Sequence, residues 1–372
     1  MSPYYISNCY SYTFVFFMMK DIGSLFPLYD EDIEIVNPRL QNNLQEEIML
    51  FSLCREALFS VASSLGACEK KVLIPAYTCD TVITPFVEQG WTCIYYPVDI
   101  QLRIETHAVE DLYERFRPSL IVVHPYYGKD LNASEIKLLE MLHDTGCKVI
   151  VDKTQCIFSS QKLSCVDYYV GSYRKWFAIP DGGYLWPGSS FDEVSSKWGE
   201  NEDFVSLQRD AMYLRGRYYK TGDEDLKGIS RRLNKMAEEM INYNIIPHKI
   251  SALSRELFHR CDWQQCQDSR FRNYRILLDG LVGVDGCKIF CEDMGEVSSA
   301  PLYFMIYVQD RAELQRDLAE EHIYAPVIWP VVIKDVIIND TIKYIYNHIL
   351  AIPIDQRYDE ADMTKIIRLI QK

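Results

Sequence analysis

The chain has 372 residues, 48% of them hydrophobic and 25% charged, ordinary globular usage that excludes a disordered, collagen-like or coiled-coil chain. At about 150 residues per domain the length predicts two to three domains, enough chain to bury a sizeable core. Lys and Arg number 39 against 53 Asp and Glu, a net charge of −14; this argues against nucleic acid or a membrane surface as partner, since both reward a basic face, and favours a cytoplasmic protein. The twelve cysteines stand mostly alone, with Cys261/Cys266 and Cys287/Cys291 the closest pairs. None has zinc spacing, so no metal is expected and the thiols read as reduced.

Residues 10 to 19, YSYTFVFFMM, are apolar but too short to span a bilayer, and they lack a basic flank or a small-residue cleavage site. The run beginning at Met19 has the look of a natural start, so residues 1–18 read as an N-terminal extension. From about 44 to 186 helical and strand-like segments alternate. Helical periodicity across QEEIMLFSLCREALFSVASSL predicts one helix ending at Gly66, followed by the strand VLIP at 72–75. A helix from Asp80 stops at Gly90 before the strand CIYYP; another, from about Ser134, stops at Gly146 before KVIVD. Glycine just past a helix end relieves left-handed backbone strain. Asn132 with Glu135 three residues on predicts a reciprocal cap at the start of that helix.

The strands VLIP, LIVVH and KVIV are nearly continuous apolar runs, as expected of a parallel sheet covered on both faces. The fold class is therefore α/β. Residues 189 to 265 turn helical and more polar, with ISRRLNKMAEEMINY at 229–243 as the clearest helix. Beyond 270 the pattern gives a helix, the strand APLYFMIYV, a helix near 311–321 and a closing helix near 360–371. This divides the chain into the 1–18 extension, a large α/β domain over 19–265 with an N-terminal arm and a helical segment, and a small C-terminal α+β domain over 266–372.

Open parallel sheets bind ligands beyond the carboxyl ends of their strands. The residues there are Ala76-Tyr77-Thr78, His124-Pro-Tyr-Tyr-Gly128, Asp152-Lys-Thr-Gln155 and Ser172-Tyr-Arg-Lys175. Singly, each has an ordinary structural reading: a salt bridge for Asp152, a surface amine for Lys175, a turn hydroxyl for Ser172, a core imidazole for His124, a solvated helix face for Arg55. The tyrosine pairs Tyr126/Tyr127 and Tyr218/Tyr219 are candidates for pocket lining or for buried packing.

The ordered set is more specific. Asp152-x-x-Gln155, then Ser172-x-x-Lys175, then Pro180-Asp-Gly-Gly183 resembles the active-site run of fold-type I pyridoxal phosphate (PLP) enzymes, and most of all the DegT/StrS-like sugar aminotransferases. PAYTCDTVITPFVEQG at 75–90, VVHPYYG at 122–128, HIYAPVIWP and HILAIPIDQRY extend the resemblance. It implies a fold-type I transferase with a mainly parallel central sheet and pyridoxal 5′-phosphate as cofactor. Lys175 would hold the cofactor covalently and shuttle the proton, Asp152 would pair with the pyridine nitrogen, and Gln155 would bond the ring hydroxyl. The helix near Cys54-Arg55-Glu56-Ala57-Leu58 would face the phosphate, with Arg55, Glu56 and Ser172 as binding candidates.

Two features depart from the family's pattern. The serine stands three residues before the lysine, where many sugar aminotransferases have five, and Cys79 occupies the position of the aromatic residue that stacks on the cofactor. Tyr77 is the candidate replacement, and His124 a further contact to cofactor or substrate. The implied activity is transfer of an amino group from glutamate to a nucleotide-linked keto sugar, in polysaccharide or secondary-metabolite synthesis, by a homodimer. The alternatives are desulfurase or lyase chemistry on the same fold, or a non-catalytic regulatory relative.

Overall fold

Strand pairing in the central sheet runs in the order β1-β7-β6-β5-β4-β2-β3. These are β1 (Met49–Phe51), β2 (Lys71–Pro75), β3 (Thr92–Tyr96), β4 (Leu120–Val123), β5 (Lys148–Asp152), β6 (Tyr168–Ser172) and β7 (Gly183–Trp186). The computed structural model describes residues 21–33, 47–65, 69–188, 191, 196–241 and 244–372; the 1–18 extension lies outside them. Strands β2 to β6 are mutually parallel, whereas β7 runs antiparallel to β6, and β1 antiparallel to β7. Every residue of β4 is fully buried, which matches the unbroken apolar run and its cover on both faces.

Helices α1 (Asp30–Ile33), α2 (Cys54–Ser64), α3 (Asp80–Glu88), α4 (Thr106–Phe116) and α5 (Ala133–Asp144) belong to the arm and the strand crossovers. Three more follow the sheet: α6 (Glu202–Thr221), α7 (Glu224–Met240) and α8 (Ala252–His259). A second, antiparallel sheet is ordered β10-β9-β8, from β8 (Cys287–Ile289), β9 (Tyr303–Val308) and β10 (Ile349–Pro353). It is accompanied by α9 (Trp263–Leu281), α10 (Arg311–Glu320), α11 (Asp340–His348) and α12 (Glu360–Ile370).

One boundary differs from the periodicity. The run read as a single helix divides into β1 and α2, with Leu53 extended between them at φ −133° and ψ 147°. Met49 and Phe51 are buried while Leu50 is only partly so, a period-two pattern that a short apolar run hides inside a helical one. The helix therefore starts at Cys54, beside the sheet, and ends at Ser64; Gly66, the expected stop, lies outside the described residues. Gly90 and Gly146 do take left-handed conformations past their helices, at φ 76° and 91°. After α4 the same turn is made by Arg117 at φ 47°, which no sequence signal marks.

The cap at Asn132 is present in both directions. Its side chain accepts from the amides of Ser134 and Glu135 at 3.0 Å, and Glu135 accepts from the Asn132 amide at 2.8 Å. Glu135 is itself buried and also accepts from the Ile104 amide at 2.9 Å, tying the helix start to the strand 3 exit.

The N-terminal arm pairs with the C-terminal part of the chain. Ile22 forms a parallel bridge to Ile323, and the Gly23 amide donates to the Tyr358 hydroxyl at 2.7 Å. Asp21, fully buried, accepts from Arg215 of α6 at 2.9 Å and from Lys227 of α7 at 3.1 Å, with His322 at 3.5 Å. Tyr219 meets Ser24 of the arm, hydroxyl to hydroxyl, at 2.7 Å. The Tyr218/Tyr219 pair thus packs under the arm.

Replacing the cap residue, Asn132→Ala, is expected to cost about 1 kcal/mol of stability. Urea denaturation should show a lower midpoint at an unchanged slope; an unchanged midpoint would show that the cap contributes nothing.

Candidate active site

The carboxyl ends of β4, β5 and β6 and the N-terminus of α2 open onto one cavity of about 290 Å³. Its walls include His124, Asp152, Gln155, Ser172, Lys175 and Arg55. These six sequence-selected residues therefore meet in one place.

Asp152 ends β5 and is almost fully buried. One carboxylate oxygen accepts from the Thr154 amide at 2.9 Å, and the other lies 3.6 Å from His124 Nδ1. Among the described residues no Lys or Arg pairs with it, so the salt bridge that an isolated Asp152 suggested is not formed. His124 stands beside it, and burial holds the imidazole below its usual pKa although Asp152 pulls the other way. A neutral imidazole does not balance the carboxylate. On the far side of the ring, His124 Nε2 lies 2.8 Å from the Thr78 hydroxyl, and the Thr78 amide donates to Tyr346.

Gln155 follows three residues later and is buried, and its Oε1 has no hydrogen-bond partner among the described residues. An unbonded amide oxygen in a buried wall costs about 1–3 kcal/mol unless something else donates to it. Both open valences, the carboxylate and the amide oxygen, belong to residues lining the same cavity.

Arg55 sits in the first turn of α2, is buried, and donates to the Ile241 carbonyl; it is not a solvated helix-face arginine. Burial pushes its pKa down, with Arg174 adding to the effect. Arg174, which the motif reading left without a role, also lines the cavity and pairs with Glu238 of α7 at 2.8 Å. Burial alone would lower the Arg174 pKa, but Glu238 overrides it and holds it up; Arg174 in turn holds the half-exposed Glu238 carboxyl down. The two arginines, the Ser172 hydroxyl and the positive end of α2 suit an anion in this corner.

The Pro180-Asp-Gly-Gly183 motif holds this corner together. A Cβ on Gly183 would lie 2.4 Å from the Cys54 amide nitrogen, so only glycine lets β7 approach the start of α2. The Gly182 amide donates to Ser52 at 2.7 Å, and the buried Asp181 carboxylate accepts from the amide and hydroxyl of Ser251 at 3.0 and 2.7 Å. Lys175 sits on the short turn between β6 and this motif.

Two selected residues lie outside the cavity lining. Glu56 points away from it: its carboxylate accepts from the amide and ring nitrogen of His248, each at 3.1 Å, and caps Leu53. Tyr77 is one layer back, fully buried, its ring 5.2 Å from that of Trp329 and its hydroxyl donating to the Ile328 carbonyl. Ile328 and Trp329 themselves line the cavity, as do Cys54 and Cys79. Trp329 and Glu238 come from segments distant in sequence, and only HIYAPVIWP carried a hint of the former. Burial pushes both thiols up, so they stand neutral. Tyr126 and Tyr127 pack in the core; Tyr126 donates to the Tyr77 carbonyl.

This sheet order, with the lysine turn between β6 and an antiparallel β7, is the architecture of fold-type I PLP-dependent transferases. Solved structures with the same fold include a DegT DnrJ EryC1 StrS aminotransferase from Brucella abortus, 15% identical, covering 87% of this chain and 85% of that one, with a TM-score of 0.61. The sugar aminotransferase CalS13 from Micromonospora echinospora is 16% identical over 87% of each chain, with a TM-score of 0.61. The PMP form of a sugar aminotransferase from Streptococcus pneumoniae is 13% identical over 87% of this chain and 85% of that one, with a TM-score of 0.65. No protein-family model matches the sequence, and no curated protein matches it significantly.

The cavity fits PLP. The Asp152 carboxylate without a cationic partner suits a protonated pyridine nitrogen, the bare Gln155 amide oxygen suits a donor hydroxyl, and the arginine corner suits a phosphate.

Because His124 is held neutral, the unfolded chain binds a proton there below pH of about 6.5 that the folded chain refuses. The stability this contributes is present above that pH and lost as pH falls. The stability of the wild type relative to His124→Gln is therefore expected to shrink from pH 7.5 to 5.5 in thermal denaturation. A difference independent of pH would mean that His124 is protonated alike in both states.

Proposed function

We propose that the protein is a PLP-dependent aminotransferase that moves an amino group from glutamate to a nucleotide-linked keto sugar, as a cytoplasmic homodimer. The observation that carries the reading is the convergence of Lys175, the unpaired Asp152 and the unsatisfied Gln155 on one cavity. The sugar aminotransferases that share the fold support the substrate class, and the net charge of −14 fits a role away from nucleic acid and anionic lipid. Among the described residues no helix is long and apolar enough to cross a membrane.

Bound PLP supplies a conjugated ring that accepts electron density from the substrate's α-carbon. Lys175 would hold the cofactor through its amine and, freed from it, would move the substrate's proton. Asp152 would accept from the ring nitrogen, and the neutral His124 stands beside the carboxylate without competing for that proton. The Gln155 Oε1 would accept from the ring hydroxyl. Arg55, Arg174, Ser172 and the first amides of α2 would hold the phosphate. Trp329 and His124 line the same cavity, which Tyr77 does not. Desulfuration gains no support from Cys54 or Cys79, half-buried thiols whose pKa burial pushes up.

Borohydride reduction of the PLP-loaded protein, followed by peptide mapping, is expected to label Lys175; a label on another lysine overturns the reading. Addition of glutamate should change the visible spectrum, and an unchanged spectrum with every common amino donor argues against transamination.

Asp152→Ala is expected to retain the covalent cofactor, since attachment needs no electron sink, while the half-reaction with glutamate slows by roughly 100-fold or more. Stopped-flow absorbance on the folded fraction measures it. A variant that loses thermal stability but reacts at the normal rate would make Asp152 structural only.

A further inference from the structure

A second cavity, of about 550 Å³, lies behind the first. Consecutive residues at the end of β5 face opposite ways: Asp152 lines the first cavity and Lys153 the second. The 3-10 turn after β6 repeats the division, with Tyr173 in the second cavity and Lys175 in the first. The volume falls in the range of about 300–1,000 Å³ usual for small-molecule sites.

The walls are aromatic and continuous. Tyr173 stacks on Tyr184 with ring centroids 4.7 Å apart and planes at 23°, and meets Phe258 at 4.6 Å. Trp263 packs edge-on against Phe258 at 5.3 Å and Tyr173 at 5.7 Å. Tyr173 and Tyr184 are both largely buried and line this cavity.

The charge runs opposite to that of the chain as a whole. In a protein of net charge −14, the described lining contains Lys153, Lys162 and His259 and no Asp or Glu. Lys153 is buried; its ammonium donates to the carbonyls of Ser159 and Gln161 at 3.0 and 2.6 Å and lies 4.7 Å from the centroid of the Tyr169 ring, another wall of the cavity. The Lys162 ammonium lies 4.7 Å over the Trp186 ring at the rim, while Glu47 accepts from the Trp186 indole. An aromatic wall with two lysines and a histidine suits one kind of occupant.

We infer that this second cavity binds a small molecule consisting of a planar aromatic ring that carries an anionic group, of the kind represented by a nucleoside phosphate. The ring would lie against the Tyr173–Trp263 wall and the anion at Lys153 and Lys162. The site is separate from the proposed cofactor cavity and does not depend on the chemistry there.

Isothermal titration of the full, PLP-loaded chain with uridine 5′-monophosphate tests it. Saturable binding is expected with a Kd below about 1 mM, an affinity above about 4 kcal/mol. Lys162→Glu, at an exposed position, and Trp263→Ala should each weaken it about tenfold or more without changing the visible cofactor spectrum. Uridine and inorganic phosphate, each carrying one half of the ligand, should bind about tenfold more weakly. Absence of saturable binding to the wild type overturns the inference, as does equal binding by the wild type and both variants, which would place the nucleotide in the first cavity. Uridine binding as tightly as its phosphate overturns the anionic part.

Discussion

A carboxylate buried without a cation is the constraint on which the site turns. Leaving a charge unpaired in a protein interior costs several kcal/mol, and among the described residues Asp152 meets a backbone amide and a neutral imidazole but no Lys or Arg within pairing distance. Much of the surrounding architecture keeps it in that state. Thr154 supplies the amide, and its carbonyl is fixed by the Trp176 indole at 2.8 Å. His124 is held from behind by Thr78, and Thr78 by Tyr346 of α11. The central sheet and a distant helix therefore contribute to one under-neutralised carboxylate, which faces the cavity without a paired Lys or Arg among the described residues.

The same economy explains which parts were legible in the sequence. Asp152, Gln155, Ser172 and Lys175 lie on two neighbouring strand ends, so short spacings in the chain translate into short distances in space. The Gly-Gly pair could be noticed for the same reason, though its purpose became visible only in the 2.4 Å approach to the α2 amide. Glu238 was not legible as a site residue and Trp329 only through HIYAPVIWP, because it is the tertiary fold that brings α7 and the segment before α11 to the cavity; Arg174 stood in the Ser172–Lys175 run but without a role of its own. Tyr77 shows the converse. Its position next to the right turn was correct, but the core claimed its ring and left Trp329 in front of it.

Fold was legible where periodicity was long and unambiguous. The buried parallel strands, the capped α5 and the long helices of 202–240 follow from pattern and turn chemistry. The β1/α2 break does not, because three apolar residues with a period of two fit inside a helical repeat. That break matters for the site: a helix beginning at Cys54 meets the cavity with its first turn, and one beginning earlier would have carried that turn away from it.

The Asp21 cluster has a mechanical meaning of its own. One carboxylate shared by Arg215, Lys227 and His322 joins the arm to α6, to α7 and to the strand of chain leading out of α10. Lifting the arm strands an anion and two cations in a dry interior at once, so no partial release is cheaper than staying closed. The arm behaves as a latch with a single engaged position, and its engagement registers three separate parts of the chain against one another in the same event.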